Sequence, residues 1–286
     1  MKRPALLAAL ALFAAAPAAA QSPARAPAFD AHVHLHQGEA SLRQYEAQLK
    51  ADGEQASGYA AMWFGGPNQA RQGDPAAIRA GNDSIIALAA KNSALLPVAT
   101  VHPYDGEAAL AELERVAGLG VRVLKIHPHT QKFDSADPRV LTLVRRAGEL
   151  GVIVLLDNAH ILPGDSQNLF NLALAAPKTT FIFAHMGTMN FRFWNILAGA
   201  RTAEDLFGDN IYFDISATVA MVADSPIEDE FVWTVRNVGV DHVLLGSDYP
   251  QFSLARNAEA LERLDLTAEE KAKIRSGNAR RLFGRK

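Results

Sequence analysis

Eight short runs of β-branched and other apolar residues recur along the chain, and the intervals between them carry helical periodicity. They begin at Ala28 (AFDAHVHL), Gly58 (GYAAMWF), Ala94 (ALLPVATVHP), Val121 (VRVLKIHP), Val152 (VIVLLDN), Thr179 (TTFIFAHMG), Asn210 (NIYFDIS) and Asp241 (DHVLLGSDYP). The fourth, fifth and sixth are almost wholly apolar, as parallel strands covered on both faces must be. Between the runs, GEAALAELERVAGLG and DPRVLTLVRRAGELG space their apolar residues helically and stop at glycine. LTAEEKAKIRSGNARRLF opens on threonine followed by acidic residues, which suits an N-cap and the positive end of a helix. Such alternation builds a doubly wound sheet or a barrel. With 286 residues, 49% of them hydrophobic, the chain has the length of one barrel. The expected fold is α/β, a single (β/α)8 TIM barrel over 28–286, without a repeat or a second domain.

The histidines choose the barrel and locate its site. Of nine, eight fall at or just past the carboxyl end of a run: His32, His34, His36, His102, His127, His129, His160 and His185. In a (β/α)8 barrel all strand carboxyl ends meet on one rim, which holds the active site. Imidazoles gathered there serve a metal or proton transfer. The absence of cysteine removes thiolate ligands, disulfides and a cysteine nucleophile, so any metal is held by nitrogen and oxygen.

The amino terminus reads separately. Lys2 and Arg3 precede the apolar run ALLAALALFAAAPAAA, which ends in the small residues Ala18, Ala19 and Ala20. This is the three-part pattern of a secretory signal peptide over 1–20, with Gln21 as first mature residue and 21–27 as a flexible leader. The expected location is periplasmic or secreted, with no membrane contact after cleavage. A net charge of -3 gives no basic surplus for nucleic acid. The partner expected is a small-molecule substrate, with a homodimer as an option.

His32 and His34 are two apart on a strand, so both point to one face and can reach one ion. Asp248 ends the eighth run, which neighbours the first once a barrel closes; it either completes the ligand set and takes a proton from water, or caps the loop that contains Pro250. His185 ends the sixth run and reads as ligand, as general acid/base, or as a hydrogen-bonded structural residue. Lys125 ends the fourth run with His127, where it would polarise a carbonyl, bind a carboxylate, or pair with an acid. Trp63, Phe64 and Trp194, with His127 and His160, are candidate pocket walls; packing in the core is the plainer role for each aromatic. Asp214 reads as orienting a ligand or a helix end.

Taken in order, DAHVHL, KIHPHTQKFDSADP, FAHMG, YFDIS, LLGSDYP and GNARRLF resemble the amidohydrolase-related family, in the branch of metal-dependent hydrolases and aminocarboxymuconate-semialdehyde-type decarboxylases. The resemblance spans nearly the whole mature chain. It implies a distorted (β/α)8 barrel with one divalent metal, zinc in most members, with manganese or iron as options. It implies that His32, His34 and Asp248 are ligands and that His185 is a catalytic residue or a ligand. One position departs: where the family has a histidine ending strand five, this chain has Asp157, which would then ligate through oxygen unless His160 folds back to replace it. Asp248, His185 and Lys125 are the expected catalytic groups. The activity expected is hydrolysis of a carboxylic ester, lactone or amide by metal-activated water. The alternatives are decarboxylation of an aromatic or unsaturated acid, with Lys125 or Arg192 gripping its carboxylate, and a catalytically inactive barrel that binds a ligand.

Overall fold

The computed structural model describes residues 26–284, so the signal-peptide reading and most of the leader lie outside the described residues. All eight expected strands form: β1 Ala28–His34, β2 Ala56–Met62, β3 Leu95–Thr100, β4 Val123–Ile126, β5 Ile153–Leu156, β6 Phe181–Phe183, β7 Ile211–Asp214 and β8 Val243–Leu244. They pair in parallel in sequence order, β1 through β8. The ring closes through irregular backbone past β8. Ala31 N–H donates to Leu245 O (2.9 Å), Asp248 N–H to His32 O (2.9 Å) and His34 N–H to Tyr249 O (2.9 Å). This is a nearly closed, single (β/α)8 barrel.

Two apolar layers hold it. Inside the barrel, Phe29, Ala31, Met62, Val98, Val123, Leu155 and Ile182 form one cluster. Phe283, just past the helix Asn278–Leu282, joins it, its ring 5.4 Å from that of Phe29. Outside, Leu113, Val140, Val144, Leu156, Phe181 and Phe213 meet the inner faces of the helices. Each such side chain, fully buried, contributes on the order of 1.5–3 kcal/mol before chain entropy is counted.

The helices form where the sequence places them. Pro138–Glu149 has Pro138 at its first position and the Asp137 carboxylate accepting from Arg139 N–H. Thr267 and Glu270 make a reciprocal capping box on Ala268–Ala272. One feature is not visible in the sequence: the last helical region passes through a π-type turn, Lys273–Gly277. There Arg275 donates to Ala26 O (2.6 Å) and pairs with Glu54 (2.6 Å), tying the last turns to the start of the barrel.

A bulge in β1 aims the site. Asp30 pairs with Tyr59 but Val33 with Ala61, so one extra residue lies between them on β1. Phe29 and Ala31 face the barrel interior, and past the bulge His32 and His34 face it too. Without the inserted residue, strict alternation would not put both pairs on one side.

Candidate active site

Two ring nitrogens and a carboxylate converge at the mouth of β1 and the turn past β8. His32 Nε2 and His34 Nε2 are 3.2 Å apart, and Asp248 Oδ1 lies 3.5 Å from His34 Nε2 and 3.7 Å from His32 Nε2. The partner of each Nδ1 fixes the tautomer. His34 Nδ1 is 2.6 Å from Phe64 O, which only accepts, so Nδ1 carries the hydrogen. His32 Nδ1 donates to Asp214 Oδ2 at 3.1 Å. Both Nε2 atoms therefore turn lone pairs towards the same point as the Asp248 oxygen. Two metal–nitrogen bonds of ~2.05 Å at a tetrahedral angle put the nitrogens about 3.3 Å apart. The triangle thus fits a divalent cation, and the Asp214 and Phe64 acceptors are the supports that metal-bound histidines use.

The surrounding charges are buried. Lys125 is 1% exposed, and its Nζ lies 3.4 Å from His32 Nε2. Burial pushes the Lys125 ammonium down from its ordinary range, against the pull of the Asp157, Asp214 and Asp248 carboxylates. Burial and the Lys125 charge lower His32 to about 4, which keeps the ring neutral and able to ligate. Burial alone would raise Asp248; the His34 hydrogen bond and the nearby His32 and His185 hold it below its ordinary value.

Behind the triangle, Asp214 and Ser216 join His32 to His185. Ser216 Oγ donates to Asp214 Oδ1, and it lies 3.3 Å from His32 Nδ1 and 3.0 Å from His185 Nδ1. The rings of His32 and His185 stack at 5.0 Å. Gly246 permits this closeness, since a Cβ there would meet His32 Cβ at 3.0 Å and Ser216 Cβ at 3.1 Å. His185 follows β6 with φ +60°, opening a run of left-handed residues through Thr188 that swings the chain over the rim. Burial would lower His185, but the Asp157 hydrogen bond and the Asp248, Asp157 and Asp214 charges raise it to about 9.

Among the described residues, the constellations that close on one point are His32, His34 and Asp248, and His32, His185 and Asp214. Asp157 belongs to neither. Its Oδ1 lies 3.4 Å from His185 Nε2 and 3.5 Å from His127 Nε2, while Oδ2 accepts from Ala159 N–H at 3.3 Å. Burial would raise its pKa, but the neighbouring His127, His185 and Lys125 hold it well below the carboxylate range.

These groups form the floor of a cavity of about 350 Å³. The amidohydrolase family model matches residues 29–285. The chain belongs to the amidohydrolase family. That membership makes it an enzyme and leaves the reaction to be argued from the site. The 2,6-dihydroxybenzoate decarboxylase of Rhizobium has the same fold at 18% identity and TM-score 0.67, covering 90% of this chain and 98% of that one. A dihydroxybenzoic acid decarboxylase of Polaromonas sp. JS666, solved with manganese and 2-nitroresorcinol, matches at 15% identity and TM-score 0.67, over 90% and 97%. A candidate 2-pyrone-4,6-dicarboxylic acid hydrolase of Pseudomonas putida matches at 18% identity and TM-score 0.63, over 91% and 98%. Among curated proteins no sequence relative was found.

The cavity of this amidohydrolase brings together His32, His34, Lys125, His127, Asp157, His185 and Asp248. It leaves out four expected wall residues. Trp194 is fully buried against Phe183 and Phe213, its Nε1–H on Asn158 Oδ1 (3.0 Å). Phe64 is buried with Ala70 and Ile78; its carbonyl accepts from His34 Nδ1–H and its ring meets the His127 ring edge-on at 6.5 Å, behind the cavity wall. Trp63 turns outward to Asn82 Oδ1 (3.0 Å). His160 neither folds back as a ligand nor faces the cavity; its Nδ1 meets Ser166 Oγ and Asn190 Nδ2, both at 3.4 Å. Arg192, the other expected carboxylate grip, is paired with Glu230 through Nε and Nη2, at 2.5 and 2.6 Å, while Nη1 donates to Met189 O at 3.3 Å. Sequence reasoning missed Ile161, Met221, Gln251 and Phe252, which line the cavity from loops and a short helix after β5, β7 and β8. It also missed Ser216, for which YFDIS was the only available signal.

Proposed function

We propose that this amidohydrolase is a metal-dependent decarboxylase of an aromatic or unsaturated carboxylic acid. The observation that carries the proposal is Lys125. Among the described residues lining the cavity it is the only lysine or arginine, and it stands beside the triangle of His32, His34 and Asp248. A substrate carboxylate is recognised there by a buried cation that salt screens little. Ile161, Met221 and Phe252 offer apolar surface for the rest of the acid. The fold shared with two hydroxybenzoate decarboxylases supports the same reading. It displaces hydrolysis, the reading favoured by the sequence.

A divalent ion held by His32, His34 and Asp248 would supply Lewis acidity towards the substrate's oxygen atoms. Lys125 binds and orients the carboxylate. His185, held protonated by the surrounding carboxylates, is placed to deliver a proton to the carbon that loses carbon dioxide. The carbon–carbon bonding pair stays on that carbon and takes the proton, and solvent restores the proton to His185. Two imidazoles and one carboxylate accept zinc, manganese or iron. The manganese of the Polaromonas enzyme makes Mn²⁺ the first ion to test. The proposal also places the mature enzyme outside the cytoplasm, on residues 1–20 alone; a mass beginning at Gln21 is expected, and an intact Met1 would count against export.

The test is carbon dioxide release from a panel of hydroxylated aromatic acids by Mn²⁺-loaded protein, run beside lactones and esters. Release that disappears on chelation and falls ~100-fold or more in Lys125→Met is expected. Hydrolysis of a lactone or ester with no carbon dioxide from any acid would reverse the reading, and the Pseudomonas neighbour supports keeping that arm.

A further inference from the structure

Asp157 stands where the resemblance implies a ligand, yet its oxygens are already engaged. The hydrogens can be assigned from partners that have no choice. Thr130 N–H donates to His127 Nδ1 (3.4 Å), so the neutral ring of His127 carries its hydrogen on Nε2, facing Asp157 Oδ1 at 3.5 Å. His185 Nδ1 faces Ser216 O (3.1 Å), which only accepts, and its Nε2 faces the same Asp157 Oδ1 at 3.4 Å. The second oxygen, Oδ2, accepts from Ala159 N–H at 3.3 Å. A carboxylate accepts along a few lone-pair directions, and a metal would compete for those now filled. The triangle of His32, His34 and Asp248 closes without it.

We propose that Asp157 is a positioning residue and not a metal ligand: it is a strut that holds the His127 and His185 rings on either side of the cavity floor. The chain then runs a metal site with two imidazoles and one carboxylate, and spends its strand-five carboxylate on the orientation of the proton-carrying histidine. This deepens the decarboxylase reading and rests on it only for what His185 does; the placement of Asp157 relative to the metal does not depend on the reaction.

The test uses the full chain and the metal alone. Mn²⁺ is titrated calorimetrically into wild type, Asp157→Asn, Asp157→Ala and Asp248→Ala. Both Asp157 variants are expected to bind one Mn²⁺ with affinity within about threefold of wild type, whereas Asp248→Ala loses ~100-fold or more. In Zn²⁺-loaded protein with ¹⁵N-labelled histidine, the Nε2–H signals of His127 and His185 are expected to move or broaden in Asp157→Ala. The Nδ1–H signals of His32 and His34 are expected to stay in place. Loss of Mn²⁺ affinity in both Asp157 variants as deep as that of Asp248→Ala would overturn the proposal, as would unmoved His127 and His185 signals. The nearly isosteric Asp157→Asn keeps the affinity test readable should the alanine variant unfold. Absence of decarboxylation leaves both readouts intact, so the two proposals fail separately.

Discussion

Two His-Pro pairs show what a residue's identity tells and what it leaves open. His102 and His127 both end a strand, both precede proline, and both cap a short helix through Nδ1. His102 Nε2 then meets Gln131 O at 2.8 Å and is spent on structure, whereas His127 Nε2 reaches Asp157 in the cavity. Nothing local separates them; the loop opposite does. His32, His34 and Asp248 were legible because strand alternation and barrel closure constrain them from both sides. His32 depends in turn on Asp214. Asp214→Asn keeps the shape but removes the charge that accepts from His32 Nδ1–H at 3.1 Å. The expected result is a 10–100-fold weaker Mn²⁺ affinity with the fold retained, read by competition against a metal-sensitive dye. An affinity unchanged from wild type would mean that Asp214 does not orient His32.

At the scale of elements, the sequence showed which strands form and overestimated how far they run. The eighth run, from Asp241 to Pro250, yields only Val243–Leu244 as ladder. Past it the backbone turns left-handed at Asp248 (φ +63°) to bring the carboxylate over the ring. The third and fourth runs stop early because the side chains of His102 and His127 cap the next turn. Caps were the better-read signal. At Thr267, the Glu270 carboxylate accepts from Thr267 N–H (2.7 Å) and from Arg236 Nε (2.9 Å) and Nη2 (3.0 Å). The Arg236 hydrogen bonds lower Glu270 from 4.5 to about 2. A depressed carboxylate stabilises the fold above its unfolded pKa, and that stabilisation is lost as pH falls through the folded value. Glu270→Gln is therefore expected to cost about 1 kcal/mol at pH 7, after allowance for solvent screening of this partly exposed pair. The gap between the two urea midpoints should close between pH 4.5 and 2. A gap independent of pH would assign the loss to the cap's shape and not to its charge.

For the whole molecule, the barrel was legible because buried parallel strands must be written in apolar residues, and eight such runs leave few topologies. The cavity's outer wall was not, because Ile161, Met221 and Phe252 enter from segments whose path depends on contacts with other loops. The closure between the first and last strands is the thinnest part of the ring: β8 pairs with β7 at two residues, and three backbone hydrogen bonds carry its continuation onto β1. The proposed ligands straddle that seam, His32 and His34 on one side and Asp248 on the other. An ion bound by them would staple the closure. An ion that binds only the folded chain stabilises it by about 2.7 kcal/mol at a hundredfold excess over its Kd. For a domain of this size that is a rise in Tm of ~5 °C or more. Mn²⁺ added to chelator-treated protein is expected to produce this rise, and Asp248→Ala to abolish it while Glu270→Gln keeps it. If Asp248→Ala retained the full Mn²⁺-dependent rise in differential scanning fluorimetry, the ion would be held elsewhere, and the seam would have to be closed by the protein alone.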